Sequence, residues 1–173
     1  MEIRPVTLSD LDWITAPLAE LGAVTFSETF GHLYDPKDLK AFLAEKHSPE
    51  YYKASILDPD RQLWILKDRD ELGGYMELRP VNLPIDPLPK DALEFGRLYF
   101  RNAFQGQGLG GRFIHLAEDY ARDNGFKSLI LSVYCDNFPA QKLYSRHGFE
   151  KIGEYDFAVG DHFDREWIMS KQL

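Results

Sequence analysis

The sequence predicts a single α/β domain, residues 1–173, built on a mixed β-sheet. Three observations predict it. A strand, a helix and another strand follow one another between residues 93 and 134, which calls for a parallel pair joined by a crossover. Hairpin signals lie on either side of that unit, so antiparallel pairs must extend the sheet. The first 57 residues carry apolar positions at helical spacing, so helices dominate the N-terminal third. A chain of 173 residues fits one domain and can bury roughly 70% of its unfolded surface.

Glu2 to Thr7 alternates like a short strand and contains Pro5. Ser9 stands where it can cap a helix carried by Leu11, Ile14, Leu18 and Leu21, with Pro17 as an expected kink. Asp35-Pro36 and Ser48-Pro49 are two further helix starts, since an oxygen-bearing cap followed by proline suits the first helical turn. Asp58-Pro59-Asp60 ends the second. Gln62–Leu66 and Gly74–Leu78 then flank the polar turn Asp68–Glu71 as a hairpin. Four prolines between 80 and 89 make a loop. Leu93–Phe100 reads as a strand, 108–124 as an amphipathic helix stopped by Gly125, and Lys127–Tyr134 as a strand. Phe138–Arg146 is a short helix, and strands around Phe149–Phe157 and Arg165–Lys171 complete the pattern.

Composition narrows the function classes. Lys and Arg number 20 against 28 Asp and Glu, a net charge of −8, so a nucleic-acid partner is not expected: phosphates attract cations. No apolar run approaches the ~18 residues of a membrane span, and Met1–Pro5 resembles no signal peptide. Cys135 is the single cysteine, which suits a reducing cytoplasm. The five histidines show no metal-binding spacing, and no metal is expected.

The chemistry concentrates in Gln105-Gly106-Gln107-Gly108-Leu109-Gly110-Gly111. Four glycines sit where the apolar pattern demands a helix start, and each glycine within a helix costs about 1 kcal/mol against alanine. A helix N-terminus carries partial positive charge, and glycine lets its amides approach a ligand, so the segment reads as a cradle for phosphate. No Gly-Lys-Ser/Thr follows, which excludes a P-loop, and the single strand–helix–strand unit fits a dinucleotide fold poorly.

Gln105-x-x-Gly108-x-Gly110 resembles the Q/R-x-x-G-x-G/A signature of the GNAT acyl-CoA N-acyltransferases. Asn137, Tyr144 and Gly148-Phe149 are similar to that family's downstream segment, and Gly96–Phe100 looks like its pantetheine-binding strand. The matches cover Leu93–Phe149. At finer grain, Glu28–His32, Leu93–Tyr99 and the tail Gly153–Asp161 resemble bacterial polyamine (spermidine/spermine) N-acetyltransferases. The resemblance implies a central mixed, mostly antiparallel sheet with helices on both faces. It also implies acetyl-CoA as co-substrate, with its diphosphate on the amides of Gly106–Gly111 and its pantetheine along Leu98, Tyr99 and Phe100. An amide near Leu98 or Tyr99 would polarise the thioester carbonyl.

A primary amine, with a pKa of about 10.4, arrives as an ammonium and needs a base before it can attack. Glu94, four residues before Leu98, is the expected base, with a water chain as the alternative; Ser132 occupies another family base position and is uncharged. Tyr144 is expected to protonate the departing thiolate, and Asn137 to bind pantetheine or to cap its helix. Glu28, Phe30, His32 and Tyr34 are the expected acceptor-binding groups, acid and aromatic together suiting a cation. A small-molecule amine is the expected acceptor and a peptide amine the alternative; a CoA-binding module without catalysis is the reading from another class. A homodimer is left open.

Overall fold

A computed structural model describes residues 1–173. Twelve regular elements follow in order: β1 (Glu2–Pro5), α1 (Leu11–Phe30), α2 (Pro36–Lys46), α3 (Pro49–Leu57), β2 (Gln62–Asp68), β3 (Glu71–Pro80), β4 (Ala92–Phe100), α4 (Leu109–Asp123), β5 (Ser128–Tyr134), α5 (Phe138–Arg146), β6 (Glu150–Val159) and β7 (His162–Gln172). The strands form one mixed sheet of order β1-β2-β3-β4-β5-β7-β6. The expected α/β class with a mixed sheet is what the chain adopts. The chain divides into two compact units, and strands β3 and β4 each contribute residues to both.

The first unit comprises Met1–Glu77, Arg97–Gln107 and Val159–His162. Its start differs from expectation. Asp10, not Ser9, organises the entry to α1, because its carboxylate accepts from the Thr7 backbone N–H (2.9 Å) and from Arg4 (2.8 and 2.9 Å). The Arg4 guanidinium holds the Asp10 carboxyl well below the usual carboxylate range. Pro17 does not end α1, which runs on to Phe30. Asp35 and Ser48 cap as the sequence implies, accepting from Lys37 N–H (2.8 Å) and Tyr51 N–H (3.1 Å). Ile14, Leu18 and Leu21 of α1 are fully buried with Tyr52, Leu63, Ile65 and Tyr75. Each such aliphatic side chain contributes about 1.5–3 kcal/mol through burial.

The second unit comprises Leu78–Gly96, Gly108–Ala158 and Phe163–Leu173. Parallel pairing joins Ala92 to Ser128, Leu93 to Leu129 and Glu94 to Ile130. This ladder goes no further, although β4 continues to Phe100 and β5 to Tyr134. Beyond that point β5 is paired only on its other side, antiparallel to β7, with Ser132 opposite Ile168 and Tyr134 opposite Glu166. Helix α4 buries Leu109, Phe113, Ile114, Ala117 and Ala121 on one face. It ends at Gly125 (φ 80°), whose left-handed turn lets Phe126 N–H reach the Ala121 carbonyl at 2.9 Å.

Candidate functional site

The glycine segment separates into two pairs with different structural uses. Gly106 and Gly108 both adopt φ 73°, a left-handed conformation that costs other L-residues roughly 1–2 kcal/mol. A Cβ at either would meet nothing within 4 Å, so both backbones are open to an approaching group. Gly108 is the residue immediately before α4, whose first-turn N–H groups have no helical acceptors. Gly110 and Gly111 are different. A Cβ on Gly110 would lie 2.7 Å from Leu143, and one on Gly111 would lie 2.9 Å from His147. Their missing side chains let α4 approach α5 closely. The helical cost assigned to a ligand is therefore offset, at these two positions, by helix packing. Gln105 and Gln107 brace the preceding turn: Gln105 donates to the Phe100 carbonyl (3.2 Å) and Gln107 to the Ala103 carbonyl (2.8 Å). The open glycines and unused amides suit an anionic diphosphate, and no acidic residue occupies the first turn of α4 to repel it.

Leu98, Tyr99 and Phe100 form the end of β4, in the first unit. Tyr99 stacks on Tyr75 with ring centroids 5.7 Å apart. Gly74 passes so close that a Cβ there would come within 2.8 Å of the Tyr99 carbonyl.

Glu94 lies in the second unit, 1% exposed. Its carboxylate accepts from Arg79 Nε (2.9 Å), Arg79 Nη2 (2.5 Å) and the Asn82 backbone N–H (2.6 Å). A carboxylate held this way anchors the start of the proline loop, and to take a proton it must give up part of a buried ion pair. The neighbouring Phe95 points to the opposite face of β4 and meets Tyr144 edge-on at 6.3 Å. The expected base and acid thus attach to opposite faces of one strand. Tyr144 is 8% exposed and also packs against Phe149 at 5.7 Å. Asn137 caps α5, its Oδ1 accepting from Ala140 N–H at 3.3 Å.

Of the expected acceptor-binding groups, Glu28 and His32 are exposed, and Phe30 is half-buried at 5.1 Å from Phe26. Tyr34 is buried, stacked on Phe26 at 6.0 Å and edge-on to His162 at 5.5 Å. Its ring belongs to the aromatic core.

Two polar clusters escaped sequence reasoning. In the first unit Glu77 is fully buried and accepts from Tyr51 Oη (2.9 Å) and Arg61 Nη1 (3.1 Å), with Arg97 Nε at 3.4 Å. Arg97 lies over the Tyr51 ring at 4.2 Å, donates to Tyr52 Oη (3.0 Å) and approaches His47 Nδ1 at 3.4 Å. A guanidinium only donates, so His47 Nδ1 is an acceptor and the ring proton belongs on Nε2. Burial, with Arg97 beside it, pushes the His47 pKa down to about 3. In the second unit Tyr155 Oη donates to Ser132 Oγ at 3.3 Å, and Glu166 is the diagonal neighbour of Ser132 across the β5–β7 ladder. Burial pushes the Glu166 carboxyl up, Ser132 opposes that, and Asp164 adds to it. The visible signal for the first cluster was Glu77, a charged residue in the apolar run Gly74–Leu78; its partners come from distant segments.

With this geometry in place, comparison with known proteins adds a family, two relatives and two solved structures. Residues 26–149 match the model of the family described as Acetyltransferase (GNAT) family. An uncharacterised N-acetyltransferase from the pepI 3′ region of Lactobacillus delbrueckii subsp. lactis is 29% identical over 149 residues, covering 86% of each chain. The uncharacterised N-acetyltransferase YjgM of Escherichia coli K12 is 29% identical over 133 residues, covering 76% of this chain and 75% of its own. Among solved structures, the PaiA N-acetyltransferase of Thermoplasma acidophilum in complex with coenzyme A superposes with a TM-score of 0.76 at 20% identity over the whole of both chains. A ribosomal-protein-alanine N-acetyltransferase from Brucella melitensis does so with a TM-score of 0.67 at 18% identity, again over both whole chains. These structural likenesses are likenesses of fold.

Proposed function

The chain belongs to the GNAT acetyltransferase family and is an acyl-CoA-dependent N-acetyltransferase, and from that premise we propose that it moves the acetyl group of acetyl-CoA to a primary amine of a small molecule, of the polyamine class. The open, left-handed Gly106 and Gly108 at the tip of α4 carry the donor half of this reading. The acceptor half rests on the net charge of −8, the exposed Glu28 and His32, and the segments resembling polyamine acetyltransferases. A cationic acceptor is drawn to such a chain from a distance. The reducing setting that suits the free Cys135 is the cytoplasm.

The residues divide the work as follows. Amides of Gly106, Gln107, Gly108, Leu109, Gly110 and Gly111 hold the diphosphate, and the backbone of Leu98, Tyr99 and Phe100 lines the pantetheine. Acetyl-CoA supplies the thioester, and a β4 amide near Leu98 stabilises negative charge developing on its carbonyl oxygen. Tyr144 gives its phenolic proton toward the leaving sulfur, its ring fixed by Phe95 and Phe149. Asn137 holds α5, and Tyr144 with it, in place. Glu94 fixes Arg79 and the Asn82 turn, and it serves as base only if that ion pair opens.

Free-thiol release with acetyl-CoA and a panel of amines tests this reading. Spermidine and spermine are expected to release thiol faster than amino acids or N-terminal peptides. Tyr144→Phe is expected to lower kcat by about a hundredfold. A panel in which only peptides react moves the acceptor to protein N-termini. No release with any amine leaves a coenzyme-binding module.

A further inference from the structure

Contacts within the first unit converge on the end of β4. The ladder between β4 and β5 stops at Glu94, and β4 runs on through Arg97, Leu98, Tyr99 and Phe100. The Arg97 side chain is only 9% exposed. Its guanidinium lies 4.2 Å over the Tyr51 ring, reaches Glu77 at 3.4 Å and donates to Tyr52 Oη at 3.0 Å. At the far end of the segment, Arg101 gives its backbone N–H to the Gly73 carbonyl (2.9 Å) and its Nε–H to the Leu72 carbonyl (3.0 Å). Leu98, Tyr99 and Phe100 are thus strung between two arginines, each held by other elements of the same unit.

The Tyr52 hydroxyl is the hub of this arrangement. Besides Arg97 it meets Tyr75 Oη at 2.7 Å and His47 Nδ1 at 3.0 Å. A guanidinium only donates and His47 Nδ1 accepts, so the Tyr52 proton goes to His47 and the Tyr75 proton to Tyr52. The Tyr52 oxygen then receives two hydrogen bonds and gives one, which is all it can make. Tyr75 and His47 in turn flank Tyr99: Tyr75 stacks on its ring at 5.7 Å, and His47 meets it edge-on at 6.2 Å. Helix α1 closes over the hub at Gly22, where a Cβ would collide with His47 Nδ1 and Tyr52 Oη. Arg61 shares Glu77 with Arg97, but its other bonds go to Tyr51, Ser55 and Asp58.

We propose that Arg97 is a positioning residue for coenzyme binding, acting through the Tyr52 hydroxyl to lock Tyr75 and His47 against Tyr99. The inference rests on the reading above in which Leu98, Tyr99 and Phe100 line pantetheine. A strand that binds through its main chain needs its peptide groups aimed before the ligand arrives. Holding the Tyr99 ring on two sides leaves little of the strand to be ordered on binding, and that preorganisation is gained as affinity. A lysine in place of Arg97 would keep a charge beside Glu77, but a point charge cannot serve Glu77, Tyr52 and the Tyr51 face together. Arg61→Lys makes the same chemical change on the same carboxylate and leaves Tyr52 untouched. Placement, not charge, separates the two arginines.

The test is calorimetric titration of the full chain with pantetheine and with coenzyme A. Arg97→Lys is expected to bind both about tenfold more weakly than the wild type, the worth of about one hydrogen bond. Its preference for coenzyme A over pantetheine should stay as in the wild type, because that reading rests the diphosphate on the Gly106–Gly111 amides. Arg61→Lys is expected to bind both compounds as the wild type does, although its urea midpoint also falls. Tyr52→Phe, which keeps the ring and removes the hub hydroxyl, should show the same loss as Arg97→Lys. The double variant should lose no more than either change alone, since both break one chain of contacts. Tyr52→Phe carries the test if Arg97→Lys does not fold. Wild-type affinity for pantetheine in Arg97→Lys or Tyr52→Phe, or an equal loss in Arg61→Lys, overturns the proposal and leaves the acetyltransferase reading intact. So does a loss confined to the coenzyme A preference. A wild type that binds neither compound overturns the placement of pantetheine on β4 as well.

Discussion

Glu77, fully buried, and Glu166, half-buried, are strand carboxylates whose surroundings differ. Glu77, in the first unit, is met by Arg61, Arg97 and Tyr51. The cluster around it works as a rivet between α3 and strands β3 and β4 of that unit. Glu166, in the second unit, has no Lys or Arg partner and lies opposite Tyr134 and diagonal to Ser132. Burial alone therefore says little about a carboxylate's role; the partner's ability to neutralise it decides.

The largest expected effect tests whether the interior of the first unit rejects protons. His47 has its pKa lowered to about 3 in the folded state, against about 6.5 when unfolded. The unfolded chain then binds more protons below pH 6.5, so stability is complete above that pH and falls as pH drops toward 3. The loss is on the order of 5 kcal/mol. Urea midpoints measured across this range should fall in the wild type and fall less in His47→Gln. Equal slopes would show that His47 takes up protons without opening the fold.

Glu77→Gln comes next. Leaving Arg61 and Arg97 without their shared carboxylate is expected to cost about 3–5 kcal/mol in urea unfolding. A cost under about 1 kcal/mol would make the cluster an ordinary solvated one and erase the contrast with Glu166. In the second unit the expected stability effects are smaller. Gly110→Val forces its side chain against Leu143, and overpacking of this kind costs about 1–3 kcal/mol. An unchanged Tm would mean that α4 and α5 yield easily, and that the glycine serves a ligand after all. Asn137→Ala removes the cap of α5 and is expected to cost about 1 kcal/mol. A tenfold weaker affinity for acetyl-CoA with no change in Tm would give Asn137 a binding role instead.

Much of this fold could be read from local chemistry. Asp35-Pro36 and Ser48-Pro49 announced α2 and α3 because a helix cap acts within three residues, and Phe138–Arg146 was bounded by Asn137 and His147-Gly148 in the same way. Asp10 was missed as the organiser of α1 because its partner Arg4 lies on a strand, six residues away. The need for glycine was legible at Gly106 and Gly108, where φ is positive. It was not legible at Gly110 and Gly111, whose reason for being glycine is Leu143 and His147, more than thirty residues on. Glu94 shows the same limit: position alone suggested a base, while Arg79 and Asn82, from another strand and its loop, hold it as an ion pair. Tyr34 had the composition of a cation-binding group, yet Phe26 and His162 take its ring into the core. Pairings over long sequence separations decide all these cases, and a single sequence does not record them.

Calorimetric titration of the wild type and Gly108→Val with coenzyme A and with pantetheine, which lacks the nucleotide and its diphosphate, isolates what the tip of α4 holds. Wild type should bind coenzyme A at least tenfold more tightly than pantetheine, a difference of about 1.4 kcal/mol. Gly108→Val should lose that preference while unfolding cooperatively and keeping its affinity for pantetheine. If Gly108→Val binds coenzyme A as tightly as the wild type, the diphosphate does not rest on these amides.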